Sequence, residues 1–194
     1  MIFKLAETQQ EKEEIYRLRY RVYCLEKDWL SKADYPDEKE IDEFDDCSAH
    51  FIAKDSLGNI TGTVRLILHS QQGFQITRYF EIDLPNGGLN CSEFSRLAIN
   101  NGKRNNKIEL GLYRETFQYC QNKGITHSYA VVERKLFSSL RRLGFLFEQI
   151  GEPRYYFGDY TIPICLFYSE GIEFLKANKP LMLKFLKEEA KVSV

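Results

Sequence analysis

Three arginines and one glutamate fall where a side chain must be either paired or put to use. Arg65 lies inside the β-like run Ile60 to Leu68, Arg96 inside the run Glu93 to Ile99, and Arg19 on the border of a helical apolar stripe. An arginine buried in a sheet costs free energy unless a carboxylate meets it. The acidic loop from Asp34 to Asp46 offers Asp42 and Asp45 as partners, and Glu93 is close to Arg96 along the chain. Such a set builds either an ion network that fixes the loop to the sheet or a polar pocket for a charged or zwitterionic small molecule. The sequence leaves both open. Glu93 is the best candidate for a general base: a carboxylate within hydrogen-bond reach, directly or through one water, can take the proton from an attacking amine. Strict alternation places Glu93 and Arg96 on opposite faces of their strand. A β-bulge near Ser95 would bring both to one side, and we expect one there.

Positive charge gathers at two further places. Arg134, Lys135, Arg141 and Arg142 surround the apolar stripe Leu136, Phe137, Leu140 and Leu143, while Lys103, Arg104 and Lys107 precede a helix starting near Ile108. The first set is a solvated helix face or a landing surface for an acidic partner. A helix N-terminus with basic residues also suits a phosphate group. Other chemistry is disfavoured. Cys47 and His50 have metal-ligand spacing, but no second close pair completes four ligands, so no metal site is expected. Nothing along the chain places Cys91 beside His127, and no G-x-S-x-G elbow is present.

The elements that must hold these residues read as follows. Ile15, Leu18, Val22 and Leu25 form one stripe of a helix over Glu11 to Glu26, with Arg19 and Arg21 on its two borders. Ala49 to Lys54 and Ile60 to Leu68 form a hairpin around Gly58-Asn59, with Arg65 pointing away from Val64 and Leu66. A strand over Glu93 to Ile99, a helix over Ile108 to Asn122, a strand over Thr126 to Val132 and a helix over Glu133 to Leu143 follow, then strands at Phe145 to Ile150 and Ile162 to Tyr168. Two β-to-α units behind an antiparallel hairpin predict an α/β domain with a mixed sheet and helices on both faces. The 194 residues suit one domain, 1–194, closed by a C-terminal helix over about 172–191. A net charge of −1 makes no global case for nucleic acid. Five widely spaced cysteines, no signal-peptide pattern and no apolar run of membrane-spanning length predict a reduced, cytoplasmic protein without a transmembrane segment.

Five ordered blocks carry a resemblance: Leu18-Arg19-Tyr20-Arg21-Val22-Tyr23, Trp29, Glu40-Ile41-Asp42-Glu43-Phe44-Asp45, Gly62-Thr63-Val64-Arg65 and Ser92-Glu93-Phe94-Ser95-Arg96. Over about residues 10 to 160 the chain resembles the acyl-homoserine lactone synthases and the long-chain N-acyl amino acid synthases. It is most similar to the acyltransferases associated with PEP-CTERM/exosortase systems, through Arg19 to Cys24, Ala33 to Asp37 and Gly124 to His127. The resemblance implies a GNAT fold with strands four and five splayed around a thioester donor. It implies that Arg19, Tyr23 and Trp29 line the substrate cleft, that Asp42, Asp45 and Arg65 form a charged cluster beside it with Ser95, and that Glu93 and Arg96 serve catalysis. Arg104, Lys107, Arg134 and Arg142 would meet the carrier or its pantetheine.

Two departures matter. Tyr23 stands where the lactone synthases more often have Phe. The usual pyrophosphate loop is not recognisable between Ile99 and Ile108, which mildly favours acyl carrier protein over coenzyme A as donor. The expected protein is an N-acyltransferase with no tightly bound cofactor, taking acyl carrier protein or acyl-coenzyme A as cosubstrate and a small amine or amino acid as acceptor. A lactone synthase using S-adenosylmethionine and a non-catalytic acyl-binding module are the alternatives.

Overall fold

The structure, a computed structural model, describes residues 1–103 and 106–188. The chain runs β1 (Ile2–Leu5), α1 (Gln9–Tyr20), β2 (Ser48–Lys54), β3 (Ile60–Leu68), β4 (Cys91–Ile99), α2 (Asn106–Asn122), β5 (His127–Glu133), α3 (Arg134–Leu143), β6 (Phe147–Gln149), β7 (Arg154–Tyr156), β8 (Asp159–Phe167), α4 (Tyr168–Asn178) and α5 (Pro180–Lys187). Among the described residues the strands form one sheet in the order β1-β2-β3-β4-β5-β8-β6, with β7 also on β8. Only β4 and β5 run parallel, as the helix between them requires.

Alternation along β2 shows how the sheet divides the core. Phe51 and Ala53 enter the large cluster with Leu112, Phe117 and Leu140, whereas Ile52 enters a separate cluster with Ile15, Leu18 and Val22. α2 to α5 therefore cover one face and α1 covers the other. A capping box starts α1: Thr8 accepts the Glu11 N–H at 3.1 Å, and Glu11 accepts the Thr8 N–H at 3.3 Å. Its stripe continues into a π turn, Arg21–Glu26, in which the Lys27 N–H reaches the Val22 carbonyl at 3.0 Å. The wider turn keeps Val22, Tyr23 and Cys24 all buried.

Two irregularities in β4 open the sheet. Thr63 pairs with Ala98 and Arg65 with Ser95, so two steps along β3 match three along β4. Arg96 in this bulge has φ +54°, a left-handed conformation that costs a non-glycine residue about 1–3 kcal/mol. On its other edge, β4 pairs with β5 only from Cys91↔His127 to Phe94↔Ala130, after which the two strands part. The bulge expected near Ser95 is present, and the splay lies between the fourth and fifth strands.

The C-terminal helix expected over about 172–191 is instead two helices, α4 and α5, broken at Lys179, with Pro180 as the first residue of α5; residues 189–191 of that expectation lie outside the described residues. A proline has no N–H to continue α4 and disfavours the α conformation in the residue before it, so a fresh start is the low-cost solution. β1 and β7 were not expected from the sequence. They are four and three residues long, too short to show alternation.

Candidate active site

The acidic loop folds back over the open side of β3 and β4 and brings its carboxylates to the three arginines. Arg19 donates to Glu40 through Nε and to both oxygens of Asp45 at 2.6 and 3.1 Å. Arg65 donates to Asp45 at 3.0 Å and to Asp42 at 3.0 Å. Arg96 donates to Asp42 at 2.7 Å and to Glu40 at 2.9 Å. Each carboxylate thus bridges two arginines and each arginine two carboxylates, closing a ring of alternating charge: Arg19, Glu40, Arg96, Asp42, Arg65, Asp45. Three cations meet three anions, which is the condition for taking charges this deep out of water. Arg19, Glu40 and Arg65 are fully buried. Burial alone would lower the Arg19 pKa, but Glu40 and Asp45 outweigh it and raise it. The same attraction holds Asp45 below the usual carboxylate range against its burial. Gln75 accepts from Arg65 at 3.1 Å and Arg96 at 3.3 Å, and Ser95 accepts from Arg65 Nε at 2.9 Å.

Glu93 is a fourth carboxylate for which the ring has no cation left. It is 2% exposed and accepts the Ile76 backbone N–H at 2.9 Å. Burial pushes its pKa up to about 7, offset only in part by that N–H and by the positive charge of Arg65 and Arg96. A carboxylate poised near neutrality suits proton removal at working pH. Arg96 is not its salt-bridge partner; the ring claims that guanidinium.

A cavity of about 300 Å³ opens at this point and passes through the gap between β4 and β5. Glu93, Ser95, Arg96, Tyr23, Trp29 and Phe157 line its polar end on the α1 side. Phe94, Tyr113, Phe117, Leu140, Phe145 and Phe147 line the other end, among α2, α3 and β6. The middle of β4, Phe94 to Leu97, is less buried than its ends because it borders this space. An aromatic wall closes the polar end. Tyr23 stacks on Trp29 with ring centroids at 6.1 Å, and Phe157 meets Tyr23 edge-on at 5.2 Å while its ring lies 4.4 Å from the Arg96 guanidinium carbon. Phe157 sits in the tight β7–β8 turn at φ +54°, followed by Gly158 at φ +80°. A Cβ on Gly158 would come within 2.4 Å of Trp29, so the turn both needs and exploits the missing side chain.

The sequence candidates fall into three groups. Glu93, Ser95, Arg96, Tyr23 and Trp29 meet at the cavity. Arg19, Asp42, Asp45 and Arg65 stand in the ring behind it and do not line it. Lys107, Arg134 and Arg142 are exposed on α2 and α3 and stay apart from the ring, and Arg104 lies outside the described residues. Sequence reasoning missed Glu40 as a ring member, together with Gln75 and Phe157. Glu40 had a signal, its spacing from Asp42 and Asp45, which lets three carboxylates of one loop face one way. Gln75 had none.

Cys91 and His127 are register partners in β4 and β5, but burial raises the Cys91 thiol pKa and the His127 ring bonds Thr126 at 2.7 Å. A protonated thiol is a poor nucleophile. Burial lowers His50 to about 4, so it stands neutral beside Asp45. Among the described residues no cluster of His, Cys, Asp and Glu could hold a metal ion.

A mixed sheet parted beside a bulged fourth strand, with helices on both faces, is the GNAT-type acyltransferase fold. The model of the family "N-acyl amino acid synthase FeeM" matches residues 14–170, and the chain belongs to that family. The acyl-homoserine-lactone synthase of Aeromonas salmonicida is 27% identical over 148 residues, covering 71% of this chain and 70% of that protein. Among solved structures, BjaI, a CoA-dependent acyl-homoserine lactone synthase determined with SAM and isopentyl-CoA, superposes with a TM-score of 0.74 at 18% identity, over 92% of this chain and 81% of its own. FeeM itself, from uncultured soil microbes, gives a TM-score of 0.69 at 17% identity, over 89% and 93%. The protein is an acyltransferase. No helix among the described residues is long and apolar enough to cross a membrane.

Proposed function

We propose that the protein moves a medium- or long-chain fatty acyl group from a carrier thioester to the amine of an amino acid or related small molecule, with Glu93 as general base. The observation behind this reading is the cavity through the parted strands, with a surplus carboxylate at its polar end and an apolar chamber beyond. The acyl chain occupies the chamber and its thioester carbonyl rests at the bulge. Backbone N–H groups that the splay leaves unpaired polarise that carbonyl. The acceptor amine sits between Glu93 and the aromatic wall. Its nitrogen attacks the carbonyl carbon, Glu93 takes the released proton directly or through one water, and the C–S bond breaks to free the carrier thiol. No covalent enzyme intermediate is required, since none of the described residues that line the cavity is an activated nucleophile.

The ring holds Arg96, and through it the bulge, in a strained conformation. Arg19, Asp42, Asp45 and Arg65 therefore serve the substrate by positioning rather than by contact. Acyl carrier protein is the favoured donor: exposed Arg134, Lys135 and Arg142 on the helix that walls the chamber present positive charge to an acidic partner. Lys107 adds to that charge at the start of α2, where a pantetheine phosphate would find a helix N-terminus.

Mass spectrometry of lipids from cells expressing the chain tests this reading. A new N-acyl amino acid that disappears in Glu93→Gln supports it; an unchanged lipid profile overturns it. The likeness to the Aeromonas synthase favours one second reading, lactone formation from S-adenosylmethionine. The two products differ in mass and in the free carboxylate that only the open amide keeps.

A further inference from the structure

Two phenols flank Phe157 at the polar end of the cavity. Tyr23 comes from the π turn after α1, and Tyr156 closes β7 one residue before the strained Phe157. The Phe157 ring centroid lies 5.2 Å from that of Tyr23 and 6.0 Å from that of Tyr156. Trp29 backs the first phenol, and Tyr79 backs the second with centroids 4.2 Å apart. Neither hydroxyl makes a hydrogen bond to another described residue, and neither is sealed from solvent. Buried tyrosines normally find a partner for that group. The charge of Arg96 acts on both phenols and that of Glu93 acts on Tyr156, which puts the two hydroxyls at the Glu93–Arg96 end of the space. Burial raises the pKa of both against the pull of Arg96, so each keeps its proton and can donate it in a hydrogen bond.

Neutral donors suit this place. The ammonium of an incoming acceptor goes to Glu93, and any carboxylate it carries needs donors of its own. Arg96 is spent on Glu40 and Asp42. The other cation among the described lining residues, Lys27, holds its Nζ 3.5 Å from the centroid of the Trp29 ring. A further cation beside Glu93 would pull the base down from about 7, whereas a phenol binds an anion without adding charge. Resting on the acyl-transfer reading above, we propose that the Tyr23 and Tyr156 hydroxyls together hold the carboxylate of the acceptor, so that the enzyme selects amino acids over amines that lack the acid group. An amine without a carboxylate would leave both hydroxyls unpaired in the complex, and a site built to donate discriminates against the analogue that cannot accept.

The test is steady-state acylation from decanoyl-acyl carrier protein and decanoyl-coenzyme A, with the twenty amino acids and with the amines that lack only their carboxylates, by wild type, Tyr23→Phe, Tyr156→Phe and Lys27→Met. Wild type should favour the acid over its matched amine about a hundredfold in kcat/KM, tenfold for each hydrogen bond to a charged acceptor. Each phenylalanine variant should narrow that ratio about tenfold, chiefly by raising the KM of the amino acid, and should melt near wild type because its hydroxyl has no partner in the free protein to lose. Equal losses for acids and amines assign the hydroxyls to the thioester and overturn the proposal. An unchanged ratio, a collapse of the ratio in Lys27→Met alone, or a clear drop in melting temperature of either phenylalanine variant overturns it as well. If wild type acylates amines as readily as amino acids, only this inference falls. If it acylates neither, the acyl-transfer reading falls with it.

Discussion

Glu93 and Arg96 share one side of β4 yet do not bond to each other. Arg96 is held by Glu40 and Asp42, while Glu93 takes the Ile76 N–H, one residue past the Gln75 side chain that Arg96 touches. The bulge puts both at the cavity, and the balanced ring leaves the Glu93 carboxylate without a salt-bridge partner among its three arginines.

Glu93→Gln should therefore abolish acyl transfer and stabilise the fold. The sign follows from the folded pKa of about 7 lying above the ordinary value of 4.5. Between those values the folded state binds more protons than the unfolded one, so stability falls as pH rises through the window. Above pH 7 the ionised, buried carboxylate costs up to about 3 kcal/mol. Denaturant melts at pH 5 and pH 8 should show the variant gaining on wild type mainly at pH 8, and wild-type turnover should rise with pH through about 7.

Removing one member of the ring leaves a net buried charge. Glu40→Gln and Arg19→Met should each cost about 3–5 kcal/mol, read as a shift of the urea midpoint. Arg65→Lys should also destabilise, because an ammonium cannot reproduce the guanidinium fork that reaches Asp42, Asp45, Gln75 and Ser95 together. The depressed pKa values of Glu40, Asp42 and Asp45 mean that this stabilisation is present above the ordinary carboxylate range and is lost as pH falls toward their folded values.

Gly158→Ala should disturb the aromatic wall without touching Glu93. The new Cβ meets Trp29 at 2.4 Å and φ stays near +80°, so a loss of about 1–3 kcal/mol is expected. Steady-state kinetics should show a raised KM for the acceptor with the donor KM little changed.

Charge reversal at Arg134 and Arg142 separates the two donor classes. Both are exposed, so the fold should tolerate it. With an acyl carrier protein donor, kcat/KM should fall about tenfold at low salt and converge with wild type at high salt. With the matching acyl-coenzyme A it should not change; equal effects on both donors would count against docking of the carrier protein on α3.

How much of this could be read from the chain depends on the range of the signal. The helices α1, α2 and α3 and the β2–β3 hairpin followed from periodicity and turn signals, which are local; the break between α4 and α5 did not. Even the bulge was legible, because two polar residues three apart in one strand cannot otherwise serve one site. Glu40 was on the page beside Asp42 and Asp45, but nothing local says that its side chain turns inward between two arginines 21 and 56 residues away. Phe157 was harder still. Its role arises from a left-handed turn and from Trp29, more than a hundred residues earlier, and neither leaves a periodic trace.

The passage through the sheet bears on how a finished molecule would depart. A product joined at the gap would have its head among Tyr23, Trp29 and Phe157 and its tail among Phe117, Leu140 and Phe147, threaded between two strands. It could not step sideways out of such a seat; it would have to be drawn out end-on, tail trailing. Each added methylene would then lengthen the withdrawal, so turnover by the longest chains would be governed by exit rather than by bond-making.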